Sequence, residues 1–153
     1  MDVYFDDLAV GDKVSFGPYP VSREEAVGFA EKYDFQSFHL SDEAAAQTHF
    51  GRLAASGWHT CAMTMAMMLT RDANIPDRKE HKLGAIGLDE LRWLKPVYPG
   101  DVLHGETEIT EKIESKSRTY MGIVKSMVRV FNQDDELVMS FRPIVMWKRR
   151  PAE

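Results

Sequence analysis

The sequence holds little of what several common protein classes require. Cys61 is its only cysteine, so no disulfide can form within the chain, and a reducing cytoplasm is expected. Basic residues are also scarce: 19 Lys and Arg face 24 Asp and Glu, which gives a net charge of −5. That balance argues against nucleic acid as a partner.

Targeting and membrane signals are missing as well. The first residues carry acidic side chains and no basic one before Lys13, the opposite of a secretory signal peptide. Residues 53–70 form an 18-residue run without a formal charge, about the minimum for a membrane span. Because the run also contains Ser56, His59 and three threonines, we expect a helix buried in protein rather than in a membrane.

No metal-binding pattern is present either. The five histidines are scattered without ligand spacing or a companion carboxylate cluster; they are His39, His49, His59, His81 and His104. The chain also lacks a glycine-rich loop of the kind that cradles phosphates. The sequence therefore predicts no metal site.

The first third of the chain predicts a short strand and two helices. The strand covers residues 10–16, and the first helix covers residues 22–33, where Ser22 and Glu25 form a capping-box pair. A second helix should begin at Ser41, which two acidic residues follow.

A longer helix is predicted from about Ser56 to Thr70. It has apolar residues in nearly every direction, which is typical of a helix enclosed by other structure. Four of the nine methionines lie here, and we interpret them as adaptable core residues. Residues 74–84 should form an exposed loop.

The second half of the chain predicts strands. Four segments have strand-like composition and are separated by turn signals: residues 85–97, 102–115, 119–131 and 137–147. Pro143 favours a sheet edge or a bulge at its position. The sequence thus predicts an α+β chain with one domain, residues 1–153, in which a five-stranded antiparallel sheet wraps around the long helix. An edge strand left open would be closed by a second copy of the chain.

The stretch "YDFQSFHLSDEAA" holds the main candidate site. Asp34 stands where the first helix should end, and His39 stands five residues later, just before the second helix. In a continuous helix that spacing would point the two side chains about 140° apart. A non-helical link would let them converge on one small molecule; otherwise they are ordinary cap and turn residues.

Several segments, in this order, resemble the MaoC-like dehydratases, or (R)-specific enoyl-CoA hydratases, of the hot-dog fold. "DFQSFH" is similar to the catalytic segment of that family, and "FGRLAASGWHT" is similar to its run into the central helix. "YFDDLAVGDKV", "LRWLKPVYPGDVLHGETEITEK" and "VRVFNQDDELVMSF" resemble its strands. The likeness covers nearly the whole chain.

The resemblance implies hydration of a trans-2-enoyl-CoA to a (3R)-3-hydroxyacyl-CoA, or the reverse dehydration. In that reaction Asp34 would take a proton from water as general base, and His39 would orient the water and share the proton. The amide of Gly57, at the helix N-terminus, would stabilise the charge that develops on the thioester oxygen. The substrate-binding residues would be Gln36, Phe38, Ser56 and Trp58.

A single hot-dog unit leaves a sheet edge and apolar surface open, so we expect a homodimer or a multiple of one. The resemblance implies an acyl-CoA thioester as substrate, with the CoA groove near the subunit interface. No cofactor is needed beyond the CoA of the substrate. Arg52 and Arg149 are candidates for binding the CoA phosphates. Ser56 is alternatively only the N-cap of the central helix.

Three other functions are alternatives to this one. Hot-dog thioesterases carry a catalytic acid on or beside the central helix, and residues 57–71 contain none. The acyl-carrier dehydratases use a His-Phe-Pro motif, where this chain has "FHLS". A non-catalytic acyl-CoA-binding protein stays open, because the presence of Asp34 and His39 does not by itself establish catalysis.

Overall fold

A five-stranded antiparallel sheet with one long helix packed on it forms the body of the protein. The computed structural model describes residues 1–152, so Glu153, the last residue of the predicted domain, lies outside the described residues. The elements in chain order are β1 (Asp2–Val3), β2 (Lys13–Pro20), α1 (Arg23–Tyr33), α2 (Asp42–Ala45), α3 (Gly57–Ala73), β3 (Lys79–Glu80), β4 (Lys82–Trp93), β5 (Val102–Glu114), β6 (Met121–Phe131) and β7 (Leu137–Lys148). The predicted α+β hot-dog fold is confirmed.

The short helices begin where their caps predict. The Ser22 side chain accepts a hydrogen bond from the Glu25 amide at 3.0 Å, and α1 then runs to Tyr33. The link between α1 and α2, expected to be non-helical, contains one 3-10 turn, Ser37–His39. Asp34, the C-cap of α1, lies just before this turn, and the turn itself carries His39.

Helix α3 is covered on one side by the sheet and by α1, whose Phe29 stacks on His59. The residues of that side are buried: His59, Thr60, Met63, Thr64 and Met67. On the other side Trp58, Met65 and Leu69 remain 58%, 51% and 55% exposed. The prediction of a helix enclosed on every side is therefore wrong for the single chain, because one sheet covers only one side of a helix.

The sheet has the strand order β2-β5-β6-β7-β4, so β2 and β4 are its edges. The sequence favoured an edge or a bulge at Pro143; the edge alternative is wrong, because strand β7 is interior. Pairing of β6 with β7 runs as far as Lys125 and Ile144, and it resumes at Val128 and Phe141. Pro143 lies in this gap, where a residue without an N–H breaks no hydrogen bond of the ladder.

Two short strands, β1 and β3, lie outside the predicted elements. Strands β1 and β3 pair in parallel, so part of the segment expected as a loop is a strand.

Within residues 1–152, no helix combines the length and the apolar character needed to cross a membrane.

Candidate active site

Asp34 and His39 face each other at the N-terminal end of α3. Asp34 Oδ2 lies 3.4 Å from His39 Nε2, and the two side chains are only 15% and 7% exposed. This separation exceeds the usual length of a direct hydrogen bond, about 2.7–3.2 Å. The 3-10 turn that carries His39 therefore brings the ring close to Asp34 without forming a direct hydrogen bond.

The His39 ring is fixed by the backbone. Its Nδ1 lies 2.7 Å from the carbonyl oxygen of Ala54. A carbonyl oxygen only accepts hydrogen bonds, so Nδ1 carries the proton and donates. In the neutral ring, Nε2 then presents a lone pair on the side that faces Asp34.

Two neutral donors hold the Asp34 carboxylate. Gln36 Nε2 donates to Oδ1 at 2.7 Å, and Ser56 Oγ donates to Oδ2 at 2.7 Å. Partial burial raises the pKa of Asp34, but the hydrogen bonds from Gln36 and Ser56 lower it, and the pKa lies below its usual value. Asp34 is therefore ionised at neutral pH.

The N-terminus of α3 lies beside this carboxylate. Ser56 occupies the N-cap position, yet its side chain makes no capping hydrogen bond, because its hydroxyl bonds Asp34 instead. The first amides of the helix, beginning at Gly57, have no partner within the helix. They form a region of positive potential next to Asp34.

A cavity of about 470 Å³ opens at this point. Its walls include most of the residues that the sequence predicted for the site: Asp34, Gln36, His39, Gly57 and Trp58. They also include residues that the sequence did not suggest: His49, Phe50, Trp93, Lys95, Val97 and Val138. Nothing in the local sequence marks this second group, because the fold brings its later members to the site from β4, β7 and the loop between β4 and β5.

Two predicted substrate-binding residues lie behind the cavity wall. Phe38 packs edge-on against the His39 ring, with centroids 4.6 Å apart, and against Phe50 at 5.3 Å. Ser56 is completely buried and reaches the cavity only through Asp34. In this structure both support the Asp–His pair.

The basic residues proposed for CoA lie elsewhere. Arg52 stacks on the Tyr98 ring, with 4.0 Å between the guanidinium carbon and the ring centroid. Arg149 pairs with Asp6 at 2.9 Å. The basic side chain on the cavity wall is Lys95, which forms an ion pair with Glu136.

His59, in α3, is buried, and Cys61 is partly buried against the core cluster. The His59 ring stacks on Phe29 with 4.8 Å between centroids, and burial lowers the pKa of His59. Burial also raises the pKa of the Cys61 thiol, which disfavours the reactive thiolate. Among residues 1–152, no cluster of three or more potential metal ligands exists.

Comparison with known proteins agrees with this architecture. The model of the family described as "MaoC like domain" matches residues 7–130. A 3-hydroxybutyryl-CoA dehydratase of Methylorubrum extorquens is 30% identical, over 94% of this chain and 83% of its own length. The crystal structure of a MaoC-like dehydratase from Rhodospirillum rubrum is 39% identical, with a TM-score of 0.87 over 98% of this chain and 99% of that one. An R-hydratase of Pseudomonas aeruginosa is 25% identical, with a TM-score of 0.70 over 98% of this chain and 92% of that one.

Proposed function

The chain belongs to the MaoC-like domain family, and on that premise we propose that it is an (R)-specific hydratase of enoyl-CoA thioesters. The reaction adds water across the double bond of a trans-2-enoyl-CoA, or removes it from a (3R)-3-hydroxyacyl-CoA. The observation that carries the proposal is the 3.4 Å approach of Asp34 Oδ2 to His39 Nε2 on a cavity wall beside Gly57.

The two side chains suit one shared water. Asp34 is an ionised acceptor, and His39 Nε2 is a second acceptor because Nδ1 already donates to Ala54. A water that donates one hydrogen to each has its oxygen lone pairs free to point into the cavity. Attack by that oxygen on Cβ of the substrate would then pass its proton to the pair, with Asp34 as general base.

The same proton completes the addition. As the O–Cβ bond forms, the electrons of the double bond move toward the thioester, and Cα finally takes a proton. The proton removed from water can supply it, so one hydroxyl and one hydrogen add to the substrate and no net proton is consumed. In the dehydration direction the same groups act in reverse order.

The N-terminus of α3 would stabilise the intermediate charge. The thioester oxygen becomes negative during the attack, and the Gly57 amide together with the dipole of a 17-residue helix favours that charge. Removal of one such donor typically lowers the rate by about 10²–10³-fold. Water, a base and this amide suffice, so the proposal includes no metal and no cofactor beyond CoA.

We further propose a homodimer that closes the sheet at β4. This edge strand exposes Leu83, Ile86 and Leu88, and the adjoining side of α3 exposes Trp58 and Met65. An open edge with apolar side chains is suited to pairing with a second copy. Trp58 also lines the cavity, so the partner would border the site, and the CoA groove is expected near that interface.

The single cysteine supports a cytoplasmic location.

Crotonyl-CoA tests the proposed activity. Loss of the enoyl-thioester absorbance, with formation of the (3R) product on chiral analysis, is the expected result. Release of free CoA thiol would instead identify a thioesterase. Binding of crotonyl-CoA without either change would identify a non-catalytic acyl-CoA-binding protein, and each of these two outcomes overturns the proposal.

A further inference from the structure

The indole of Trp93 lies directly on Gly57. A Cβ atom placed on Gly57 would come within 2.4 Å of the indole ring, a distance that no real side chain tolerates. The ring thus occupies the space where other residues carry their side chain. Trp93 therefore requires a glycine at position 57, whether or not the substrate also needs close access to its amide.

Trp93 also binds the backbone of Gly57. Its Nε1 donates a hydrogen bond to the Gly57 carbonyl oxygen at 3.0 Å. Glycine has more backbone freedom than any other residue, and an N-terminal helix turn lacks part of its hydrogen bonding. The ring contact and the hydrogen bond together restrict both dihedral angles of Gly57.

A bulge in β4 delivers Trp93 to this place. Asp89 pairs with Arg142, but the next pair is Arg92 with Ser140, so β4 holds one extra residue there. Glu90, inside the bulge, has a left-handed φ of 51°. An extra residue inverts the alternation of side chains along a strand, so Trp93 faces α3 only because of the bulge.

Trp58 contacts the indole as well. The two tryptophan rings meet edge-on, with centroids 5.2 Å apart and planes at 79°. Trp93, which is 46% exposed, therefore contacts both the first turn of α3 and the Trp58 side chain, and it forms part of the cavity wall.

We infer that Trp93 is a positioning residue that sets the orientation of the Gly57 amide at the active site. The inference rests on the proposed function for its kinetic consequence, but its structural part does not. Without the indole hydrogen bond, only the helix's own bonds, such as the one from the Thr60 amide to the Ser56 carbonyl oxygen at 3.1 Å, would hold the first peptides of α3. The Gly57 amide would then meet the developing oxyanion in a less fixed orientation.

Trp93→Phe tests this role, with Trp147→Phe as the matched control. The first change keeps a ring on Gly57 and removes the N–H donor, whereas Trp147 lies in a separate core cluster with Val3, Phe5 and Val124. Trp93→Phe should lower kcat for crotonyl-CoA on the order of 10-fold, since small misplacements at a reacting centre are costly. KM should change by less than about 3-fold, because a transition-state interaction is lost. Trp147→Phe should leave kcat at the parent value.

A spectroscopic measurement separates this inference from the proposed function. In protein labelled with ¹⁵N-glycine, the Gly57 amide signal should shift and broaden in Trp93→Phe and stay in place in Trp147→Phe. If the parent does not hydrate crotonyl-CoA, the proposed function fails, and the Gly57 signal alone then decides the inference. An unchanged Gly57 signal, or in an active enzyme an unchanged kcat in folded Trp93→Phe, overturns it.

Discussion

Asp34 and His39 approach each other with 3.4 Å between Oδ2 and Nε2, and each is held from outside the pair. The Ala54 carbonyl fixes the imidazole, while Ser56 and Gln36 fix the carboxylate. The three groups that bond the pair, a backbone carbonyl, a hydroxyl and a side-chain amide, are all uncharged. The pair is therefore kept in place while the carboxylate remains ionised. The side chains that donate to it are the neutral Gln36 and Ser56, so among residues 1–152 no ion pair with Lys or Arg reduces its ability to accept a proton.

Asp34→Asn should abolish most of the activity without unfolding the protein. The amide can still accept from Gln36 and bond the Ser56 hydroxyl, but it cannot serve as a base, so hydration of crotonyl-CoA should fall by about 10² or more. His39→Ala should cause a similar loss. The double variant should lose much less than the product of the two factors, because the pair acts on one water.

Thermal unfolding serves as the control for these variants. The midpoint of Asp34→Asn should change only modestly, because the side chain keeps its shape. His39→Ala removes a buried ring and its hydrogen bond to Ala54, so its midpoint should fall further while the protein stays folded. A folded Asp34→Asn protein that hydrates crotonyl-CoA at near the parent rate would show that Asp34 is not the base.

Ser56→Ala should move the acidic limb of the pH–rate profile. The Ser56 hydroxyl helps to keep the pKa of Asp34 below its usual value, so its removal raises that pKa. The base is then protonated, and activity lost, at a higher pH than in the parent, whereas activity near neutral pH changes less. A profile of kcat/KM against pH measures the shift. Ser126→Ala, which removes a buried hydroxyl in β6, is the control and should leave the limb in place.

Gly57→Ala should be both inactive and less stable. Its methyl group would lie 2.4 Å from the Trp93 ring, and such overpacking destabilises proteins by about 1–3 kcal/mol. Gly28→Ala is a matched control within α1, where no heavy atom lies within 4 Å of the new methyl group. That change should increase stability by about 0.5–1 kcal/mol, since alanine favours a helix interior. Denaturant unfolding compares the two, and a Gly57→Ala protein as stable as the parent would contradict the packing described here.

Ile86→Lys should separate the proposed dimer. Ile86 is 56% exposed on the edge strand β4, and a charge there would have to be buried if a second copy pairs with this edge. Light scattering at micromolar concentration should give the mass of a dimer for the parent and of a monomer for the variant. Tyr120→Lys is the control, because Tyr120 is 57% exposed outside β4. A monomeric parent would refute the proposal, and a dimeric Ile86→Lys protein would place the interface elsewhere.

The sequence by itself determined the local structure and the family. The Ser22 cap, the helix over the apolar run and the five strands follow from residue types at short spacing, whose energetic effects act within a few residues. The order of the motifs around Asp34 and Gly57 was sufficient to identify the resemblance that the family match confirms.

Only the tertiary structure decided how these parts meet. Strand β4 pairs with β7, the last strand in the sequence, and this places Trp93 on Gly57, 36 residues away. Ser56 bonds Asp34 rather than the helix it precedes, and Pro143 lies inside the sheet instead of at its edge. Such contacts depend on strand order, on bulges and on which side of α3 the sheet covers. Strand order, bulges and the covered side of α3 are set by how distant segments pack. The free energy of a contact across the sheet depends on residues far apart in the sequence, and local residue patterns do not reveal which of them will meet.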